Sequence, residues 1–298
     1  MEKFFIKADD NYSLSLNIYE RENPIGIVQV AHGMQEHKER YDEFAKFLSK
    51  KGFIVVTADM RGHGENTDKL GFFKHKDGYK FLVKDQVLIA NFIKEKYPNL
   101  PLNLFAHSMG TIISRVVLQK HSKLYNKVVL SGYPCYQQGT GFGVFLANLV
   151  SIFKGNEGYS KLLDKIVVGN FNKAIKNPQT AVDWISYNQE NVKKYLEDPL
   201  CGFNFTISAF RDLMNLVKLM HNYKNYVDIK KDLSILLLRG EDDPCVGGIK
   251  GAEDSKKVLI KAGFKNIQDI SYPLMRHEIL NEKDHLQVYQ DTLDFLTR

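Results

Sequence analysis

Five residues at one turn carry the first chemical signal. Ala106-His107-Ser108-Met109-Gly110 sets a serine between small residues, at the end of the largely apolar run 102–105 and just before a helical pattern. A strand turning this sharply into a helix strains its apex residue and lifts the serine hydroxyl clear of the sheet. Small flanks are needed because larger side chains would collide across so tight a turn. Such a serine is a nucleophile only when a base, and an acid orienting that base, reach it. His277 is the candidate base, and Glu241, Asp242 and Asp243 are three adjacent candidate acids. An oxyanion would also need N–H donors, and His32-Gly33-Met34 is a second loop with suggestive chemistry. The chemistry these residues could perform is acyl transfer.

The elements that must position these groups follow an alternating rhythm. Segments 4–6 and 14–19 are expected as two strands around an Asp9-Asp10-Asn11 turn, the second with one face exposed. Segment 25–31 is a more continuous apolar strand that empties into His32-Gly33-Met34-Gln35-Glu36-His37. Tyr41, Phe44, Ala45, Phe47 and Leu48 recur at helical spacing and Gly52 closes that helix. Segment 53–59 is a buried strand that leads into the glycine-rich loop 60–66. A helix over 78–97 stops at Pro98; the serine strand and a helix over 112–121 come next, then a strand over 127–131. Strands are expected again at 234–240 and 266–271, and helices at 248–262 and 284–296. Alternation of this kind implies an α/β fold with a mostly parallel, twisted sheet covered by helices on both faces.

Between 133 and 227 the rhythm breaks. A structureless loop of that length is improbable in a compact domain, so the segment is expected to be an inserted helical cap. The resulting division is a core of 1–132 and 228–298 with a cap of 133–227. Functional groups in open parallel sheets gather beyond the carboxyl ends of the strands. Ser108, His32-Gly33-Met34, Asp242-Asp243 and His277 all lie at such ends.

The bulk composition narrows the partners. The 298 residues are 44% apolar and 26% charged, with a formal net charge of +6 scattered in mixed-sign patches such as Glu36-His37-Lys38-Glu39-Arg40. No basic stripe interleaved with aromatics occurs, so nucleic acid is not expected as a partner. Cys135, Cys201 and Cys245 are widely spaced and odd in number, which indicates neither a disulfide framework nor a zinc site. The charged N-terminus lacks a signal-peptide core and no run is long enough to span a bilayer, so a cytoplasmic location is expected.

Taken together, His32-Gly33-Met34-Gln35-Glu36-His37, Asp59-Met60-Arg61-Gly62-His63-Gly64, His107-Ser108-Met109-Gly110, Asp242-Asp243-Pro244 and Arg276-His277-Glu278 resemble the monoacylglycerol lipase and lysophospholipase branch of the α/β-hydrolases, the S33 serine-aminopeptidase-like group. The cap segment Tyr195-Leu196-Glu197-Asp198-Pro199-Leu200-Cys201-Gly202-Phe203 resembles the same group. Ala106 departs from the usual glycine, Thr111 stands where a second glycine is common, and 183–188 matches the family cap only in part. The order Ser, Asp, His is that of the α/β-hydrolase triad. The resemblance implies the α/β-hydrolase fold, Ser108 as nucleophile and His277 as base. It also implies Asp243, three residues past the strand-ending Gly240, as the orienting acid. Met34 and Met109 then supply the oxyanion N–H groups. Neither a metal nor a cofactor is implied. His32, His37, His63 and His107 are expected to hold loops rather than react.

Substrate choice rests on the cap. The apolar run 144–153 is either core packing or the rim of an acyl tunnel, with Phe145, Leu149 and Ile152 as candidate substrate contacts. As a rim it would make weak peripheral contact with a membrane. The expected substrate is a small ester or a monoacyl lipid such as a monoacylglycerol or lysophospholipid. One rival is an aminopeptidase or amidase, with Glu157, Asp164, Glu190 or Glu197 holding a substrate ammonium. The other is a ligand-binding protein of the same fold without catalysis.

Overall fold

The computed structural model describes all residues except 66, 138 and 168–170, and the side chain of Val167 is likewise left aside. Asn66, at the end of the expected glycine-rich loop, therefore lies outside the described residues, as do four positions of the expected cap. Among the described residues, eight strands form one sheet in the order β1-β2-β4-β3-β5-β6-β7-β8. They are β1 (Glu2–Lys7), β2 (Ser13–Tyr19), β3 (Gly26–Ala31), β4 (Phe53–Ala58), β5 (Leu102–His107), β6 (Lys127–Ser131), β7 (Ser234–Gly240) and β8 (Asn266–Tyr272). β2 pairs antiparallel with β1 and with β4; every other pairing is parallel. This is the mostly parallel sheet expected from the alternating pattern, in the α/β-hydrolase form that the resemblance implied.

The sheet is covered on both faces. α2 (Gly78–Lys96) and α3 (Met109–His121) share one apolar cluster with Leu104, Val128 and Ile235. α1 (Asp42–Lys50) and α9 (His285–Thr297) share another with Phe105, Val129 and Leu236. Neighbouring residues of β5 thus enter opposite clusters, as a parallel strand buried on both sides requires. β2 differs from expectation. Ser15 and Asn17 are buried, because α1 packs across β2 and β4 and covers the face that alternation assigned to solvent.

Among the described residues, four α-helices lie between β6 and β7: α4 (Thr140–Lys154), α5 (Lys161–Val167), α6 (Gln189–Glu197) and α7 (Ile207–His221). α7 packs on α2, α3 and α4. Its Phe210, Leu213, Met214 and Leu216 join the same apolar cluster as Ile112 and Ile113 of α3, so the insertion shares the main core. α8 (Gly248–Ala262) completes the helices that flank the sheet. No described helix is long and apolar enough to cross a membrane.

Candidate active site

Register brings the relevant strand ends together. Ala106 pairs with Ala31 on one side and Leu130 on the other, so β3, β5 and β6 end at one edge of the sheet. Ser108 follows β5 with φ 48° and ψ −118°, a region L-residues rarely occupy. The cost of that conformation is of order 1–3 kcal/mol. It is held by Ser108 N–H donating to the Ser131 carbonyl (3.0 Å) and by Thr111 N–H and Oγ1–H donating back to the Ser108 carbonyl (2.8 and 2.7 Å). Gly110 is required here: a Cβ would stand 2.3 Å from the Ala31 carbonyl oxygen. The helix begins at Met109, three residues before the apolar spacing marks it, because the turn itself starts it.

Ser108, His277 and Asp243 form one buried chain. Ser108 Oγ lies 2.8 Å from His277 Nε2, and His277 Nδ1 lies 2.8 Å from Asp243 Oδ2. Asp243 Oδ1 accepts from the Cys245 N–H at 2.8 Å, which leaves its second oxygen for the imidazole. Asp242 and Glu241 are exposed, and Glu241 accepts from the Ser271 hydroxyl. Burial alone would lower the His277 pKa, but the adjacent Asp243 carboxylate wins and raises it above the ordinary histidine value.

The loop after β3 folds over the serine. A Cβ on Gly33 would stand 2.6 Å from Glu36 Oε1 and 3.1 Å from Ser108 Cβ, so a side chain there would crowd both. Gly33 N–H donates to Glu36 Oε1 at 2.5 Å. Among the described residues neither the Met34 nor the Met109 N–H donates a hydrogen bond, and both residues line the cavity above Ser108. His32 accepts from the Met60 N–H and His63 from the Gln35 N–H. Burial drives both imidazoles down to about 3, so they brace the two loops as neutral rings. His107 is likewise held neutral by burial and by the neighbouring His277.

The patch 36–40, mixed in sign along the chain, turns inward. Arg40 makes two 2.7 Å hydrogen bonds to the Glu278 carboxylate, one at 3.3 Å to Glu36 and one at 3.0 Å to Asn191 of α6. Burial would raise Glu278, but its two-pronged pairing with Arg40 holds it down, at about 2. Glu36 is raised by burial and by Glu278, with the weaker Arg40 contact only partly offsetting both. This network ties the loop after β3, the residue after His277 and α6 of the insertion into one unit.

Above the serine lies a cavity of ≈ 400 Å³ whose apolar walls include Met34, Ile112, Phe171, Trp184, Leu213 and Met214. Phe145, Leu149 and Ile152 are not among its lining residues; they are 61%, 44% and 75% exposed on the outer side of α4. The inner side carries Gly143 and Ala147, both buried. At Gly143 a Cβ would meet Met214 Sδ at 2.6 Å, so small residues, not large ones, let α4 approach α7. Phe142 of the same helix does line the cavity.

A family model described as serine aminopeptidase, S33, matches residues 22–284. The chain belongs to that family. This S33 protein is 24% identical over 275 residues to a monoacylglycerol lipase of Mycolicibacterium smegmatis, covering 92% of this chain and 89% of the relative. It is 26% identical over 239 residues to a monoglyceride lipase of Rattus norvegicus, covering 80% and 72%. The fold is shared with a thermostable carboxyl esterase from Bacillus coagulans, solved with glycerol, at a TM-score of 0.91 and 24% identity over 99% of this chain and 97% of the other.

Within this S33 chain, sequence reasoning passed over Glu36, Arg40, Trp184 and Glu278. Glu36 and Glu278 stood inside recognised motifs without an assigned role. Trp184 gave no signal, because its neighbours come from distant loops. Among the described residues two clusters hold metal-ligand types, Asp243–Cys245–His277 and His37–Asp198–Cys201. In each the histidine is already hydrogen-bonded to the aspartate at 2.8 Å. Burial also pushes both thiols up, away from the thiolate a metal would need. Cys245 is both buried and part of the cavity wall.

Proposed function

We propose that the protein is a carboxylic ester hydrolase that cleaves monoacyl lipids, monoacylglycerols or lysophospholipids, through an acyl-enzyme on Ser108. One observation carries this reading: the buried Ser108–His277–Asp243 chain stands at the floor of a ≈ 400 Å³ cavity with largely apolar walls. Ser108 Oγ attacks the ester carbonyl while His277 Nε2 takes its proton. Asp243 holds the imidazole in the productive tautomer and stabilises its cation. The oxyanion accepts from the Met34 and Met109 N–H groups, each worth roughly 3 kcal/mol in the transition state. His277 then protonates the leaving alcohol, and water, deprotonated by the same imidazole, releases the acid.

Ester rather than aminoacyl chemistry is supported by where the cap carboxylates lie. Glu157 pairs with Lys69, Asp164 lines a different cavity, and Glu190 and Glu197 are exposed. The carboxylates lining the site cavity, Glu36 and Glu278, are both committed to Arg40. Residues 133–227 serve as the cap. The exposed stripe Phe142, Phe145, Leu149, Ile152 and Phe153 of α4 would rest on a lipid surface. A reducing, cytoplasmic setting suits three free cysteines.

The test is a substrate panel. Turnover should rise from acetyl to octanoyl and palmitoyl esters and fall from mono- to diacylglycerol. Faster cleavage of acetyl esters and aminoacyl anilides would overturn the lipid assignment.

A further inference from the structure

His277 is held by more than its two hydrogen bonds. Its ring lies between two other aromatic rings. His107 packs with centroids 4.8 Å apart and planes inclined by 50°; Trp184 packs with centroids 4.8 Å apart and planes inclined by 40°. Trp184 comes from the insertion, on a short 3₁₀ turn over Asp183–Ile185. The chain contains no other tryptophan.

That turn is fastened to the loop bearing His277. Arg276 Nη1 donates to the carbonyls of Asp183 (2.7 Å) and Ser186 (3.1 Å). Glu278 N–H donates to the Ile185 carbonyl at 2.7 Å. The buried Glu282 carboxylate accepts from Arg276 N–H (2.9 Å), Ser186 Oγ–H (2.6 Å) and Tyr187 N–H (3.1 Å). Residues on both sides of His277 therefore grip both sides of Trp184. None of these bonds uses the indole N–H.

The geometry points to Trp184 as a positioning residue for acyl transfer: its indole holds the His277 ring against rotation and stabilises the imidazolium formed when the Ser108 proton is taken. This rests on His277 being the base of the proposed reaction. An aromatic ring within about 6 Å of a cation attracts it through the ring quadrupole, more strongly where water is excluded. His107 cannot take the charge instead, since burial and His277 itself keep it neutral. The charged and titratable groups facing His277 are Asp243 and Cys245 from the loop after β7, Glu36 from the loop after β3, Glu278 from its own loop, and His107 from the end of β5; burial pushes the Cys245 thiol up, so it stays neutral. From the cap, the group facing it is the indole. Trp184 also lines the substrate cavity, so a role in positioning must be separated from a role as a wall.

The lone tryptophan supplies its own probe. Protonated imidazole quenches a neighbouring indole, so emission of the wild-type protein should fall with pH and follow the acid limb of the rate profile. His277→Gln should abolish that titration. On a short p-nitrophenyl ester, Trp184→Leu should lower kcat about tenfold, equivalent to about 1.4 kcal/mol, with KM changed less than threefold. Trp184→Phe, which keeps a ring, should recover kcat to within about threefold of wild type. A wild-type kcat in Trp184→Leu, a loss confined to KM, equal losses in the Leu and Phe variants, or an emission titration surviving in His277→Gln would each overturn the inference. If His277→Gln itself turns over ester normally, the proposed reaction fails instead.

Discussion

The two halves of the insertion differ in how they meet the core. Residues 183–198 are fastened to the catalytic loops by directional polar contacts: Arg276 to Asp183 and Ser186, Glu282 to Ser186 and Tyr187, Arg40 to Asn191, and His37 to Asp198. The α4 half relies on apolar packing, through Gly143 and Ala147 against α7, and leaves Phe145, Ile152 and Phe153 in solvent. Hydrogen bonds between buried charged groups fix angle as well as distance, whereas apolar packing tolerates sliding. The difference teaches that the cap is two devices. One half is fixed around His277 by polar bonds; the other is held by apolar packing and leaves large side chains in solvent.

Mutation can sharpen that contrast. The largest effect belongs to the core that both halves serve: Ser108→Ala should abolish fluorophosphonate labelling and lower ester turnover by about 10⁶-fold. Normal labelling in that variant would dismiss the nucleophile. Next, Asp243→Asn should cost about 10⁴-fold in kcat by favouring the wrong imidazole tautomer. Asp242→Asn should cost about tenfold at most, since Asp242 is exposed; parallel kinetics on the pair decide between them.

Arg40→Met addresses the fastened half. It strands the buried Glu36 and Glu278 carboxylates without a cation, which should destabilise the fold by about 3–5 kcal/mol in urea unfolding. An unchanged unfolding midpoint would show that the network is dispensable. Lowering pH probes the same region more gently. Because the His277 pKa is raised, kcat/KM should fall on acidification with a midpoint above the ordinary histidine value of 6.5, well before Glu278 protonates near pH 2. A midpoint below 6.5 would contradict the dominance of Asp243.

The smallest effect should come from the apolar half. Phe145→Ser with Ile152→Ser should leave turnover of a soluble ester within about twofold, because neither side chain lines the cavity. Turnover of monoacylglycerol presented on vesicles should drop about tenfold if α4 rests on the lipid surface. A loss on the soluble ester equal to that on vesicles would place these residues in the site after all.

Strand and helix positions were readable from sequence where burial alone sets the pattern. β6, β7 and α8 match their expected bounds residue for residue: β6 and β7 are apolar runs between turn signals, and α8 is an amphipathic stretch closed by Gly263. The serine elbow was readable too, because its backbone demands small residues at Ala106 and Gly110. β2 was misread, since alternation records which residues are apolar but not what a distant helix will cover. The face of α4 could not be read for a related reason. A helix apolar nearly all round has no polar side to mark solvent, and the deciding contact, Gly143 on Met214, joins residues 71 positions apart.

The tight serine turn, the chain order of Ser108, Asp243 and His277 and the alternating scaffold are local properties, carried by short motifs and by periodicity, and this sequence determined them by itself. Choosing Asp243 over Glu241 and Asp242 was not local: three adjacent carboxylates look alike in the chain, and resemblance named which. The tertiary structure alone decided the rest. It folded 36–40 into a buried network, set Trp184 against His277, and turned the large side chains of α4 outward. Each of these depends on contacts between segments far apart in the chain. Whether a charged or aromatic residue is buried follows from the neighbours that folding supplies, not from its type.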